Sequence, residues 1–331
     1  MPRVTIAQVA REAGVSKQTV SRVLNNKGEI SQATRNHVLT IIERLGYRPS
    51  ILARGLATHK TMTLGLVVPD IGNPFFSEIT RGADSAAHTA GYSLLLGNTF
   101  EDPEREADVL GTLEGKRVDG IVLCSSRLSD DQLEVYCAGQ PMVLVNRQHT
   151  RINVGSVRVD DAAGATAAVR HMAQSGRRVI GFLSGPPNSH SGQERAKGYA
   201  AALQEAGLTL DPTLNSNCPP YVEGGRQTAL NLLTARPDVN ALLCYNDLVA
   251  AGALQACARL GRRVPENVAV IGCDDIPLAE MVTPPLTTLH VSQQEMGVSA
   301  VQLLLNKIQG RAQECCEIVL QPHLVIRASA P

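Results

Sequence analysis

The sequence predicts an α/β chain: a three-helix head containing a helix-turn-helix, followed by a two-lobed body on two doubly wound parallel sheets. Three observations lead there. Residues 5–26 read TIAQVAREAGVSKQTVSRVLNN, two short helical stretches divided by a glycine. Residues 1–62 carry ten Lys and Arg against three acids, a charge of +7 that the rest of the chain cancels. After Thr61, seven apolar runs alternate with helical stretches, the pattern of parallel strands covered by helices on both faces.

Bulk properties narrow the class. A length of 331 residues suits two or three domains. The chain is 44% hydrophobic and 19% charged, which describes a globular protein. No run of about 18 apolar residues exists, so no transmembrane helix and no membrane partner are expected. The N-terminus enters a structured pattern without a charged-then-apolar leader, so a cytoplasmic location is expected. Cysteines stand at 124, 137, 218, 244, 257, 273, 315 and 316, with no CxxC pair and mostly inside apolar runs. Buried reduced thiols are expected, not a disulfide or zinc framework. A basic head on an acidic body points to a polyanion as partner of the head alone.

The head reads in order. Thr5 and Gln8 form a capping-box pair that starts the first helix. Val9, Ala10 and Ala13 supply its inner face, and Gly14 ends it. Ser16 caps a second helix from Lys17 to about Asn25. On a helical wheel, Gln18, Ser21, Arg22 and Asn25 fall on one side, and Val20, Val23 and Leu24 on the other. One face packs and the other offers side chains suited to base edges and phosphates. Ser31 caps a third helix with Val38, Ile41, Ile42 and Leu45 inward, closed by Gly46 before Pro49. Next, SILARGLATHK (50–60) is about two turns long, too short to be helical unless something holds it.

VTIAQVAREAGVSKQTVSRVLNN and ISQATRNHVLTIIERLGYRPSILARGLAT resemble the DNA-binding head of the LacI/GalR family of bacterial transcription regulators, and the likeness runs through the whole chain. The resemblance implies that Lys17, Gln18 and Arg22 read bases. It implies that Thr5, Ser16, Thr19, Ser21, Asn25, Ser31, Thr34 and Tyr47 fix the head on phosphates. Residues 50–57 would be a hinge helix ordered by DNA, with Leu56 wedged into a base step and Ala53 and Ala57 beside it. The domains expected are 1–48 for the head, 49–61 for the hinge and linker, and 62–331 for effector binding and dimerisation. Within the last, one lobe covers about 62–160 plus 292–322, and the other about 161–291 plus 323–331.

The body's apolar runs are LGLVVP (64–69), YSLLLG (92–97), DGIVLCS (119–125), MVLVN (142–146), RVIGFL (178–183), NALLCYN (240–246) and VAVIGC (268–273). In open parallel sheets a ligand sits beyond the carboxyl ends of the strands. Polar and charged residues gather there on both halves, as a polyhydroxylated ligand requires. The order resembles the periplasmic sugar-binding fold, and the likeness implies effector contacts from Asn73, Phe75, Phe76, Asn146, Arg147, Arg195, Tyr221, Asn246 and Asp274. Asn146 stands where many such proteins carry Asp, and Val291, beside His290, stands where many carry Gln. With one acid fewer beside two arginines, a more positive pocket is expected, open to sugar acids and phosphorylated sugars alongside neutral sugars. Two adjacent phenylalanines after Asn-Pro are hard to bury together, so at least one is expected to touch the ligand. Asp160 is expected to cap the following helix, and Asp247 and Asp275 to serve caps or hinges.

Enzyme signatures are missing: there is no GxSxG, no HExxH and no GxGxxG after the first strand. GTLEGKRV (111–118) lacks the spacing and the hydroxyl residue of a phosphate loop. No catalysis, cofactor or metal is expected. The resemblance implies a homodimeric repressor of carbohydrate uptake or catabolism genes, binding a pseudo-palindromic double-stranded operator and switched by a sugar or sugar-acid effector. No heptad tail follows, which favours a dimer over a tail-joined tetramer. Control by a partner protein, or a solute-binding role, stands as the alternative.

Overall fold

The computed structural model describes residues 4–24, 28, 30–47, 60–149, 151–152, 154–311 and 317–331. The chain forms two compact units, Met1–Thr61 and Met62–Pro331. Asn25 at the end of the second helix, and Ala53, Leu56 and Ala57 of the expected hinge, lie outside the described residues.

In the first unit, α1 (Ile6–Glu12), α2 (Lys17–Leu24) and α3 (Gln32–Leu45) enclose a small core. The capping box is present: the Gln8 amide donates to Thr5 Oγ1, and the Thr5 amide donates to Gln8 Oε1 at 2.8 Å. The Thr19 amide donates to Ser16 Oγ at 3.1 Å, and the Thr34 amide to Ser31 Oγ at 3.2 Å. Gly14 and Gly46 both have φ of 63°, a left-handed turn that only glycine adopts without cost. Val9, Ala10, Ala13, Val20, Val23, Val38 and Ile41 are buried.

The second unit opens with β1 (Thr63–Val68), β2 (Ser93–Asn98), β3 (Gly120–Cys124), β4 (Met142–Val145) and β5 (Gly155–Val159). Then come β6 (Ile180–Gly185), β7 (Asn215–Asn217), β8 (Ala241–Cys244), β9 (Ala269–Asp274) and β10 (Thr287–His290). It closes with β11 (Glu317–Leu320) and β12 (His323–Val325). Around them lie α4 (Pro74–Thr89), α5 (Pro103–Gly115), α6 (Asp130–Gly139), α7 (Asp161–Gln174), α8 (His190–Glu205), α9 (Val222–Ala235), α10 (Asp247–Arg259), α11 (Leu278–Met281) and α12 (Gln293–Ile308).

Two six-stranded sheets result, ordered β11-β5-β4-β3-β1-β2 and β12-β10-β9-β8-β6-β7. All neighbours are parallel except the β10–β12 pair. The chain crosses between the sheets after β5, after β10 and between β11 and β12.

The seven apolar runs correspond to β1–β4, β6, β8 and β9; the other five strands were not expected. Strands β7, β11 and β12 are short and lie in or beside the outermost positions. An edge strand covered on one side needs no continuous apolar run. β5 and β10 carry Ser, Arg, Thr and His among their apolar residues, which hides the pattern. Residues 111–115 of the phosphate-loop-like stretch belong to α5.

Helices α4 and α12 pack at two glycines. A Cβ on Gly82 would stand 2.1 Å from the Gln294 carbonyl oxygen, and one on Gly297 2.1 Å from that of Ile79. Backbone therefore meets backbone where the chain has returned to the first sheet. Gly297→Ala is expected to destabilise by about 1–3 kcal/mol through overpacking. Gly111→Ala in α5, where a Cβ meets nothing within 4 Å, should be neutral or stabilising by up to about 1 kcal/mol. Thermal melting of the two variants checks this; equal melting temperatures would contradict the close approach.

Candidate functional site

Two surfaces carry the chemistry, one in each unit. In the first, Lys17, Gln18 and Arg22 are exposed on α2, while Val20 and Val23 of the same helix are buried. The packing of one face therefore fixes how the other is presented. Ser16 Oγ and Thr19 Oγ1 lie 3.0 Å apart, and Ser31 Oγ and Thr34 Oγ1 2.8 Å apart, at the starts of α2 and α3. Thr5 does the same service for α1, and Tyr47 packs against the small core. Ser21 is half-buried on α2.

In the second unit, a narrow cleft lies at the carboxyl ends of both sheets, the place where ligands bind in open parallel sheets. The first lobe contributes Asn73, Phe75, Phe76, Glu101, Ser125 and Asn146. The second contributes Ser191, Arg195, Pro220, Tyr245, Asn246 and Asp274.

Asn73 caps α4, its Oδ1 accepting from the Phe75 amide at 3.0 Å, with Pro74 at the first helical position. That cap places both phenylalanines in the first turn. Phe75 and Phe76 are each buried, 4% and 6% exposed, in an edge-to-face pair with centroids 5.2 Å apart. The expectation that adjacent phenylalanines resist joint burial was wrong. The perpendicular rings fill one corner together and both border the cleft.

Asn146 has φ of 52° at the end of β4 and is buried. Among the described residues no donor reaches its Oδ1, and a buried acceptor without a partner is rare in folded proteins. Arg147, the next residue, does not line this cleft. Asp130 captures it: Nη2 donates to Asp130 Oδ1 at 2.6 Å and lies 3.4 Å from the Leu128 carbonyl. It borders an adjoining groove with Asp131, Gln148, Arg151, His190 and Gln193. Tyr221, at the start of α9, is 50% exposed and also stands outside the cleft, whose edge is formed instead by Pro220. The cleft's lining thus holds one arginine, Arg195, together with Glu101 and Asp274.

Arg195 lies in the second turn of α8, with its side chain 9% exposed. Its Nε donates to Asp161 Oδ1 at 2.8 Å, and its Nη1 donates to the Tyr245 carbonyl oxygen. Burial alone would lower the Arg195 pKa, but Asp161 and the other groups facing it together outweigh burial and hold the guanidinium charged. Burial pushes the Asp274 carboxyl up, against the pull of Arg195. Asn246 caps α10 through the Val249 amide at 2.8 Å and donates to the Pro220 carbonyl at 3.0 Å.

Asp160, Asp247 and Asp275 have structural partners. Asp160 caps α7 through the Ala163 amide. Asp275 takes Arg327 at 2.8 Å and His290 at 2.9 Å. Asp247 accepts from the Ile276 amide at 2.9 Å and the Thr288 hydroxyl at 2.5 Å. It thereby ties β10 to the turn that presents Asp274. Sequence reasoning missed Glu101, Ser125, Ser191 and Tyr245. Ser125 and Tyr245 directly follow β3 and β8, so the strand-end rule could have found them; Glu101 gave no such signal.

The geometry defines a class, a helix-turn-helix head joined to a two-lobed binding domain, and comparison with known proteins agrees. Residues 5–50 match the family model for bacterial regulatory proteins of the lacI family. Residues 61–327 match the model for periplasmic binding proteins and the sugar binding domain of the LacI family. The chain belongs to the LacI family: it is a DNA-binding transcriptional regulator with an effector-binding domain of the periplasmic-binding type. It is 35% identical over 332 residues to the HTH-type transcriptional repressor PurR of Haemophilus influenzae, covering 98% of each chain. It is 34% identical over 326 residues to the repressor CytR of Escherichia coli, covering 98% of this chain and 96% of that one. Among solved structures, the lac repressor dimer bound to operator and the anti-inducer ONPF matches with a TM-score of 0.89, 27% identity and 99% coverage of both chains. The transcriptional regulator CelR–cellobiose complex matches with a TM-score of 0.76 and 34% identity, over 99% of this chain and 100% of that one. Among the described residues no helix is long and apolar enough to cross a membrane.

Burial raises the Asp247 carboxyl from 3.8 to about 7. The folded chain therefore holds this proton more tightly than the unfolded chain does. The stability it contributes is fully present below pH 3.8 and is lost as the pH rises to about 7. Between about pH 4 and 7 the wild type should lose stability relative to Asp247→Asn. Melting temperatures across that range check this, and a constant difference between the two proteins would contradict it.

Proposed function

We propose that this chain is a homodimeric cytoplasmic repressor of genes for carbohydrate uptake or catabolism. Its two heads read the halves of a pseudo-palindromic operator, and a carbohydrate in the cleft shifts its affinity for that operator. The observation that carries the effector reading is the cleft itself, drawn from strand ends of both lobes. A ligand touching both lobes binds unequally to different lobe angles, which is the requirement for shifting a conformational equilibrium. Amide, hydroxyl and carboxylate groups beside Phe75, Phe76 and Tyr245 suit a ring with polar edges and apolar faces. The unpartnered Asn146 Oδ1 would accept from a ligand hydroxyl. The relative in complex with cellobiose supports the same class.

In the head, Lys17, Gln18 and Arg22 would reach base edges in the major groove. The hydroxyls of Thr5, Ser16, Thr19, Ser21, Ser31 and Thr34, with Tyr47, would meet phosphates. Residues 49–61 would form the hinge, with Leu56 entering a central base step. Dimerisation would cover the edge strand β2, which exposes Leu95 and Leu96. Arg147 and Tyr221 drop out of the effector set.

Two experiments test the halves separately. Operator sequences selected from a random DNA pool should bind Arg22→Ala more weakly by about 1–3 kcal/mol, with relaxed preference at one position. Unchanged discrimination would remove Arg22 as a reader. Thermal melting against pentoses, hexoses and disaccharides should give a saturable rise, worth about 1.4 kcal/mol at a tenfold excess over Kd. Asp274→Asn should weaken that response at least about tenfold, the loss of one hydrogen bond in a buried site. Arg195→Ala is the poorer probe, because unpairing the buried Asp161 costs about 3–5 kcal/mol by itself. No response to any carbohydrate would sink the effector reading.

A further inference from the structure

The loop after β2 holds a carboxylate that the expected effector set does not include. Glu101 lines the cleft, three residues beyond the end of β2. Phe100 and Glu101 have φ of 55° and 62°, two successive non-glycine residues in the left-handed region. Such conformations persist where the surroundings enforce them, and they gather at binding sites. The surroundings here are specific. The Thr99 amide donates to the Val68 carbonyl and the Glu101 amide to the Pro69 carbonyl, each at 3.1 Å.

Arg127 fixes the side chain. It is 2% exposed, and its Nε donates to Glu101 Oε2 at 2.6 Å. The Arg127 amide is itself held by Glu106 Oε2 at 2.8 Å. Among the described residues no hydrogen bond reaches Glu101 Oε1. Arg195 and Arg127, the arginines in and behind the cleft, are committed. Arg195 is taken by Asp161 and the Tyr245 carbonyl, and Arg127 by Glu101, with Nη2 3.5 Å from the Tyr245 hydroxyl. Asp274 adds a further acid to the lining. A second anion brought into this cleft would meet the Glu101 carboxylate, while the guanidinium groups of Arg195 and Arg127 are already paired.

We propose that Glu101 is a specificity-determining residue of the cleft: it accepts hydrogen bonds from hydroxyl or ammonium groups and turns away ligands bearing carboxylate or phosphate. This rests on the carbohydrate reading above and narrows it to neutral and amino sugars. Arg127 is the positioning residue that holds the carboxylate in place.

The test is thermal melting of the full chain with D-ribose, D-glucose, cellobiose, D-glucosamine, D-gluconate and D-glucose 6-phosphate. The expected result is saturable stabilisation by one or more of the first four and none by the two anions. Glu101→Gln should weaken the response at least about tenfold, the loss of a charge-assisted hydrogen bond. That variant leaves the buried Arg127 unpaired, so Glu101→Gln/Arg127→Gln, which removes both charges, should be measured beside it and should lose the response equally. Stabilisation of the wild type by gluconate or glucose 6-phosphate would overturn the proposal alone. So would either variant responding to the neutral or amino sugar with unchanged affinity. No stabilisation by any of the six would overturn the carbohydrate reading and this proposal together.

Discussion

A buried guanidinium organises the second lobe. Arg195 sits on α8 with little access to solvent, and a charge in that position is tolerable only when paired and hydrogen-bonded. Asp161 at the start of α7 supplies the counter-charge, and the Tyr245 carbonyl at the end of β8 takes a further donor. One side chain thus binds together two helix starts and a strand end. The next residue after Tyr245 is Asn246, which caps α10, and Asp274 ends the neighbouring strand β9. Remove one partner of the ion pair and the other is left buried without a counter-charge in the floor of the cleft.

The opposite wall is built by different means. Asn73 and Pro74 start α4 so that two aromatic rings fall in its first turn. The left-handed turns at Asn146 and at Phe100–Glu101 aim polar side chains where an ordinary strand end would not. The two walls are joined by three chain crossings. Few covalent links and a shared cleft are what a ligand needs to act on the angle between lobes. In the proposed reading, that angle decides whether two heads can engage one operator.

How far the sequence revealed this depends on the kind of signal. Local chemistry was legible: Thr5, Ser16, Ser31 and Asp160 cap the helices that they were expected to cap, and Gly14 and Gly46 turn the chain. Central strands announced themselves through unbroken apolar runs, whereas β7, β11 and β12 at the margins did not. Seven of the nine expected effector residues meet in one cleft. The differences between the expected set and the cleft's lining share a cause: they depend on side-chain direction set by tertiary partners. Asp130 draws Arg147 away, Tyr221 faces solvent, and Glu101 enters the cleft through a backbone conformation that no pattern of residue types discloses.

The central claim is that the cleft and the operator are coupled through one conformational equilibrium. Calorimetric titration of the stabilising carbohydrate into the free protein, and into the protein saturated with its selected operator, tests this directly. The account predicts dissociation constants that differ by about 5–150-fold, with the operator's affinity changing by the same factor when the carbohydrate is saturating. Equal carbohydrate affinity in the two states would contradict it.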